Sequence, residues 1–238
     1  MKKRIISLIL MLAALLSLAL LVACKDGEVR DDEYLVLVNK ENAVGADYLP
    51  EGLVDIDTAY TTGGKSIQLN ETALKALIEM LDAMKEDGIT NVSITSAYRT
   101  YEYQKKLFDG YIAAESAAHP TWSDEKVREQ VLTYSAAPGT SEHQTGLCVD
   151  LFTNEMEGLY NYGEETPKNP WDKGFAETAA YEWLCENAHK YGFILRFPEN
   201  KTDVTGYSYE SWHYRYVGAD HATEIHEKDL TLEEYLGK

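Results

Sequence analysis

The sequence predicts an α+β fold, because stretches with the apolar spacing of helices are interspersed with short β-rich runs. At 238 residues the chain can bury one sizeable hydrophobic core. No internal repeat is present, and no linker divides the body of the chain. One long domain is therefore favoured over two small ones.

The first elements follow from local composition. The run 34–38 is rich in β-forming residues and is predicted as the first strand. Asn70 is suited to be the N-cap of a helix that continues to about Asp87, where Gly88 provides a stop. The apolar residues of this helix recur at helical spacing, so they predict core packing.

A strand and two helices are predicted next. Alternation over 92–96 predicts a strand that leads to Arg99, and Thr100 is the candidate cap of a second helix. His119 and Pro120 break that helix, and the acidic stretch 123–125 opens a third. Arg99 is thus expected between the end of a strand and the start of a helix.

The second half of the body combines strands and helices in the same way. A polar segment over 154–174 is predicted as a loop, which either walls a cleft or is a surface insertion. The other predicted elements are strands over 147–151, 193–197 and 210–217, a helix over 176–191 and a short helix with capping-box form at 231–234.

The N-terminus has the features of an export signal. Three basic residues precede an apolar run over 5–23, which is typical of a secretory signal and is also long enough for an uncleaved anchor. The stretch 21–24 resembles a bacterial lipobox, which favours cleavage before a lipidated Cys24. We therefore expect a signal peptide at 1–23, a lipidated tether at 24–33, and a domain at 34–238 that is extracytoplasmic and lipid-anchored to the bacterial cell membrane.

The charge balance argues against nucleic acid as a partner. The formal net charge is -18, and removal of the three basic residues of the signal leaves -21. Such an acidic body is repelled by phosphate backbones.

Two cysteines remain once Cys24 is assigned to lipidation. Cys148 and Cys185 either pair or stay as free thiols that pack like small hydrophobic side chains. Cys148 lies two residues before Asp150, so strand alternation puts both side chains on one face. Cys148 is therefore a minor candidate for a metal ligand.

Histidine and acidic residues in two stretches suggest a metal site. His143 and Asp150 carry two good zinc donors, and a catalytic zinc usually takes three protein ligands. Far downstream, His213 follows Glu210 by three residues. The hypothesis from these residues is that His143, Asp150 and His213 hold zinc while Glu210 transfers protons.

Strand alternation sharpens this hypothesis in two places. Asp150 points away from the apolar face of its strand, and a buried carboxylate needs a partner: a metal, an arginine or backbone amides. Strict alternation would also put Glu210 and His213 on opposite faces. Glu210 is therefore expected at the entry of the strand or at a bulge.

Three motifs in order resemble the zinc D-alanyl-D-alanine carboxypeptidases of the VanY type, whose superfamily includes VanX-like dipeptidases and L,D-carboxypeptidases. The matching residues are 96–100 with Gln104, the stretch 141–150, and the stretch 210–216. The resemblance covers about residues 34–220. It implies a Hedgehog/D,D-peptidase-like fold, with a central, mainly antiparallel sheet flanked by helices.

The resemblance also implies roles for individual residues. Zinc (Zn²⁺) would be ligated by His143, Asp150 and His213, and Glu210 would be the catalytic acid and base. Arg99, Gln104 and Ser141 would bind the substrate, with Arg99 also catalytic and facing either the terminal carboxylate or the developing oxyanion. Cys148 is a departure, because the family pattern usually has alanine there.

The function implied is removal of the C-terminal D-Ala from peptidoglycan stem peptides with D-Ala-D-Ala ends. One alternative is an L,D-carboxypeptidase that trims tetrapeptide stems, since the motifs do not separate the two. A second is a non-catalytic zinc- or cell-wall-binding lipoprotein. Glu210 beside the predicted ligands argues against the second, because a binding module needs no base.

Overall fold

The computed structural model describes residues 32–154 and 174–238, all within a compact unit that spans Asp32–Lys238. The predicted signal peptide, Cys24 and most of the predicted 154–174 loop lie outside the described residues. Among the residues that are described, no helix has both the length and the apolar character that a membrane span requires.

The strands form two antiparallel sheets. The described residues contain β1 Leu53–Asp55, β2 Gln68–Asn70, β3 Val92–Ser96, β4 Cys148–Thr153, β5 Phe193–Leu195 and β6 His213–Tyr216. β1 pairs with β2, and the larger sheet has the order β3-β4-β6-β5. Every pairing in it is antiparallel, which confirms the predicted central sheet.

Helices flank this sheet. They are α1 Glu71–Glu86, α2 Tyr101–Ala118, α3 Asp124–Val131, α4 Ala179–Asn187, α5 Thr202–Thr205, α6 Ala219–Glu227 and α7 Leu232–Tyr235. Asn70 and Thr100 cap the first two through side-chain oxygens that accept backbone N–H bonds, as predicted, and Ser123 caps the third in the same way. The predicted capping box is present at Thr231 and Glu234.

The core lies on one side of the sheet and leaves the other for chemistry. The buried stripe of α1, including Leu77 and Met80, shares one hydrophobic cluster with Val149 and Leu151 of β4. The alternate β4 residues, Cys148 among them, point to the opposite face. Burial of the apolar face therefore aims the polar residues of β4 at a single region.

The run 34–38 was wrongly predicted as a strand. Asp32–Tyr34 is a 3₁₀ turn, and the residues after it form no ladder. Both edges of β6 are already paired, with β4 and β5. The Arg215 side chain donates to the carbonyls of Tyr34 and Val36, at 2.8 and 2.7 Å. These two backbone acceptors are therefore hydrogen-bonded without a neighbouring strand.

Two other predictions differ in extent. The helix predicted over 176–191 is broken, because Thr178 caps a helix that begins at Ala179 and a 3₁₀ turn completes the segment. The strand predicted from Glu210 begins only at His213, whose backbone N–H closes a turn onto the Glu210 carbonyl. α6 was not predicted.

Candidate active site

Two paired strands and one tight turn bring the predicted ligands together. The β4–β6 register puts Asp150 directly opposite His213. His143 comes from the 3₁₀ turn Glu142–Thr145, which ends at Gly146 in the left-handed region. A Cβ at Gly146 would lie 2.6 Å from the Leu53 side chain, so this exit requires glycine.

The hydrogen bonds of His143 select its tautomer. Its Nδ1 lies 2.6 Å from the carbonyl oxygen of Ala97, which can only accept, so Nδ1 carries the proton and donates. The other nitrogen, Nε2, faces Asp150 Oδ2 at 3.3 Å. His143 therefore directs a lone pair towards the Asp150 carboxylate.

His213 lies between two carboxylates. Its Nε2 is 2.8 Å from Glu142 Oε1, and its Nδ1 is 2.9 Å from Asp150 Oδ1. When Nε2 donates to Glu142, Nδ1 is left as a lone pair directed at Asp150. Metal-bound histidines characteristically donate their second nitrogen in this way.

A positive charge is therefore favoured between the three donors, either as protons on the imidazoles or as a metal ion. In their neutral forms His143 and His213 both direct a lone pair at the Asp150 carboxylate, and all three side chains are buried. Burial lowers the pKa of His143, but Asp150 outweighs this effect and raises that pKa to about 9. A pocket that attracts protons so strongly also suits a zinc ion, and its two imidazoles and one carboxylate fit the donor set of a catalytic site.

Cys148 is part of the same cluster. Its Sγ and one ligand atom each of His143 and His213 all lie within 4.8 Å of one another. The thiol is fully buried, and Cys148 and Cys185 are both free, so they do not pair. Burial raises the pKa of the Cys148 thiol, but the two histidines outweigh it and leave the pKa below its ordinary value.

Glu210 lies at the entry of β6, as predicted. Its backbone N–H donates to the Phe197 carbonyl at 3.1 Å, and its Oε2 lies 3.6 Å from His213 Nδ1. Burial raises the pKa of Glu210 to about 7, and the charge of Asp150 adds to this, while His213 opposes it. A carboxyl group with this pKa can exchange a proton near neutral pH.

Arg99 reaches the cluster from the segment between β3 and α2. Its Nη2 donates to Asp150 Oδ2 at 2.6 Å, and its Nε donates to Ser96 Oγ at 2.9 Å. The Arg99 side chain keeps 21% of its surface exposed. The structure thus joins Arg99 to the Asp150 carboxylate and to the open side of the site.

A cleft of about 750 Å³ opens over the cluster. Gln104 and Ser141 line it together with Arg99, Glu210 and the two histidines, so all seven predicted site residues of the domain meet at one place. The Gln104 amide donates to the Ala136 carbonyl at 2.8 Å, and its Oε1 has no hydrogen-bond partner among the described residues. This buried acceptor is suited to a donor group of a ligand.

A buried ionic network behind His213 was not predicted. Glu142 accepts from Arg196 at 2.8 Å and from Arg215 at 3.1 Å. Arg196 also makes a two-pronged contact with Glu233, which in turn accepts from Asn39 at 3.0 Å. The network thus connects Asn39 and Glu233, near the two ends of the domain, to His213 Nε2.

The charges in this network are matched. Burial raises the pKa of Glu142, but Arg196 and Arg215 outweigh burial and hold that pKa well below its ordinary value. Glu142 is therefore an anion that fixes the His213 tautomer. The available sequence signal was an arginine inside each of two apolar strand runs, since a buried guanidinium requires a carboxylate partner.

The antiparallel sheet, the two histidines and one aspartate around a cation site, and the glutamate at the cleft together define a zinc metallopeptidase. The family model for VanY, D-alanyl-D-alanine carboxypeptidase, matches residues 66–219. The chain belongs to this family.

Individual relatives agree with this assignment. A D-alanyl-D-alanine carboxypeptidase of Enterococcus faecalis (strain ATCC 700802 / V583) is 37% identical over 202 residues, which cover 85% of this chain and 65% of the relative. The solved Zn(II) complex of a VanY variant from a VanB-type resistance cassette is 35% identical, with a TM-score of 0.66 and coverage of 85% and 98%. The L,D-carboxypeptidase LdcB is 36% identical, with a TM-score of 0.71 and coverage of 87% of each chain. Zinc is thus the cofactor of this fold and donor set.

Proposed function

We propose that this protein is a zinc-dependent carboxypeptidase that removes the C-terminal D-Ala from peptidoglycan stem peptides ending in D-Ala-D-Ala. The observation that carries the proposal is the convergence of His143, Asp150 and His213 in one cleft with Glu210 beside them. The name of the enterococcal relative supports the same substrate.

In the proposed mechanism, His143 Nε2, His213 Nδ1 and the Asp150 carboxylate hold zinc. Zinc in such a site polarises the scissile carbonyl and eases deprotonation of water. Glu210 accepts the proton of the attacking water and passes it to the leaving amine, because its carboxylate lies at the cleft beside His213.

Substrate binding is assigned to three residues of the cleft. The guanidinium of Arg99 suits a terminal carboxylate or the oxyanion that develops during attack. The free Oε1 of Gln104 can accept from a peptide N–H, and Ser141 is placed to contact the end of the substrate. Recognition of a free carboxylate would make the enzyme an exopeptidase.

A second candidate is an L,D-carboxypeptidase that trims tetrapeptide stems. The likeness to LdcB favours it, since the fold match is at least as good as that to VanY. Both activities use the same zinc site and differ in how the cleft receives the stem.

Purified protein incubated with defined penta- and tetrapeptide stems would separate the two candidates. We expect release of D-Ala from the pentapeptide. Release from the tetrapeptide alone would favour the L,D activity and contradict our first choice. The Glu210→Ala variant should bind zinc and hydrolyse neither stem, and undiminished turnover in that variant would contradict the mechanism.

We further propose that the protein acts outside the cytoplasm, with a signal peptide at 1–23, a lipid anchor on Cys24 and a catalytic domain at 34–238. The basic and apolar start of the chain and the stretch 21–24 support this proposal. In bacteria given a labelled fatty acid, the wild type should be labelled and sediment with membranes, and Cys24→Ser should lose the label. Absence of label in both forms would contradict the anchor.

A further inference from the structure

Cys148 gives this site a donor beyond the three predicted ligands. The Cys148 side chain lies on the same face of β4 as Asp150, and it has no solvent-exposed surface. Its sulfur and a ligand atom of each histidine are mutually within 4.8 Å. His143, Cys148 and His213 therefore form a metal-binding set in their own right.

The spacing of the three ligand atoms shows what binding of one ion would require. With zinc–sulfur and zinc–nitrogen bonds of about 2.3 and 2.1 Å, two such ligands lie at most about 4.4 Å apart. At the tetrahedral angle their separation is about 3.6 Å, so binding of one ion would draw the three atoms, which lie within 4.8 Å of one another, closer together.

We propose that Cys148 binds the metal directly, together with His143, Asp150 and His213. This inference rests on the metal site of the proposed function and not on the identity of the peptide substrate. On binding, the S–H bond breaks and a metal–sulfur bond forms, and the proton is released to solvent. The chain then supplies four protein donors.

Four donors change the resting state of the site. A catalytic zinc keeps one position open for water or substrate, whereas a site with four protein ligands is closed. Loss of the metal–sulfur bond, with uptake of a proton from solvent by the thiolate, would reopen a position while the other three donors stay in place. A thiolate also makes the site softer, which increases its preference for zinc over harder divalent ions such as manganese.

The test uses the full-length protein loaded with Co²⁺ in place of zinc. A cobalt–thiolate bond gives a strong charge-transfer absorption in the near ultraviolet, and the visible ligand-field bands report cobalt binding itself. We expect the charge-transfer band in the wild type and in Cys185→Ala, which removes the other described thiol. It should be absent in Cys148→Ala and Cys148→Ser, while their visible bands remain.

Zinc affinity gives an independent readout. Competition with a chromophoric chelator should show affinity about 10-fold or more below wild type in Cys148→Ala and unchanged affinity in Cys185→Ala. A wild-type protein that shows visible cobalt bands without the sulfur band would overturn the Cys148 proposal and leave the zinc site intact. A wild-type protein that binds no cobalt or zinc would overturn both proposals.

Discussion

The two carboxylates that flank His213 have similar contacts and different surroundings. Asp150 meets Nδ1 at 2.9 Å, and Glu142 meets Nε2 at 2.8 Å. Asp150 lines the cleft and is balanced by Arg99, whose side chain is partly exposed. Glu142 is balanced by Arg196 and Arg215, whose side chains are fully buried.

This difference assigns the two nitrogens of His213 to separate tasks. The Glu142 side is fixed by two guanidiniums and keeps a proton on Nε2. On the Asp150 side, the guanidinium that contacts the carboxylate is that of Arg99, whose side chain is partly exposed. We therefore expect a metal on the cleft side of His213, while the interior side orients the ring.

The largest effect is expected for Asp150→Asn, which keeps the shape of the side chain and removes its charge. The pocket would lose its anionic donor, so bound zinc should fall to background and hydrolysis should be lost. Metal analysis after gel filtration would measure this. Stoichiometric zinc in the variant would place the metal elsewhere.

The next largest effect is expected for Glu210→Gln. Loss of the proton acceptor is expected to lower kcat by about 10²- to 10⁴-fold, while zinc binding persists. A stem-peptide assay and metal analysis on the same sample would test both expectations. If zinc were lost together with activity, Glu210 would belong with the ligands.

Glu142→Gln tests the carboxylate on the interior side of His213. The amide can still accept from Nε2, but it carries no charge to balance the two arginines. We expect zinc affinity to fall by about 10- to 100-fold and the free energy of unfolding to fall by about 3–5 kcal/mol. Chelator competition and urea denaturation would measure these effects. A loss of zinc as complete as in Asp150→Asn would remove the distinction between the two sides.

The smallest effect is expected at Glu233. It contacts Arg196, which in turn contacts Glu142, so it is further from the metal site than Glu142 is. Glu233→Gln weakens its contacts with Arg196, which keeps its bond to Glu142. The free energy of unfolding should fall by about 1–3 kcal/mol, with a smaller change in zinc affinity than in Glu142→Gln. The matched control is Glu79→Gln, at an exposed position of α1. An equal loss of stability in the control would show that the buried network contributes little.

The sequence predicted the elements that are specified locally. The caps Asn70 and Thr100 were found because a side-chain oxygen followed by a periodic apolar stretch signals a helix start. Tyr34–Val38 was misassigned because its composition favours a strand, whereas a strand also needs a free edge. Both edges of β6 are occupied, by β4 and β5, and this strand order cannot be read from the composition of 34–38.

The cleft side of the site was predicted more completely than the interior side. His143, Asp150 and Glu210 belong to short motifs with recognisable donor chemistry. Glu142, Arg196 and Glu233 lie far apart in the sequence, and their pairing depends on the tertiary fold. A buried charge signals that a partner exists, but it does not identify that partner.

The most direct test of the central claim is zinc-edge anomalous diffraction from crystals of the zinc-loaded protein. We predict one strong peak at about 2.0–2.2 Å from His143 Nε2, His213 Nδ1 and an Asp150 carboxylate oxygen, with Glu142 still bonded to His213 Nε2. A peak on His213 Nε2 beside Glu142, or a peak away from these residues, would contradict the account.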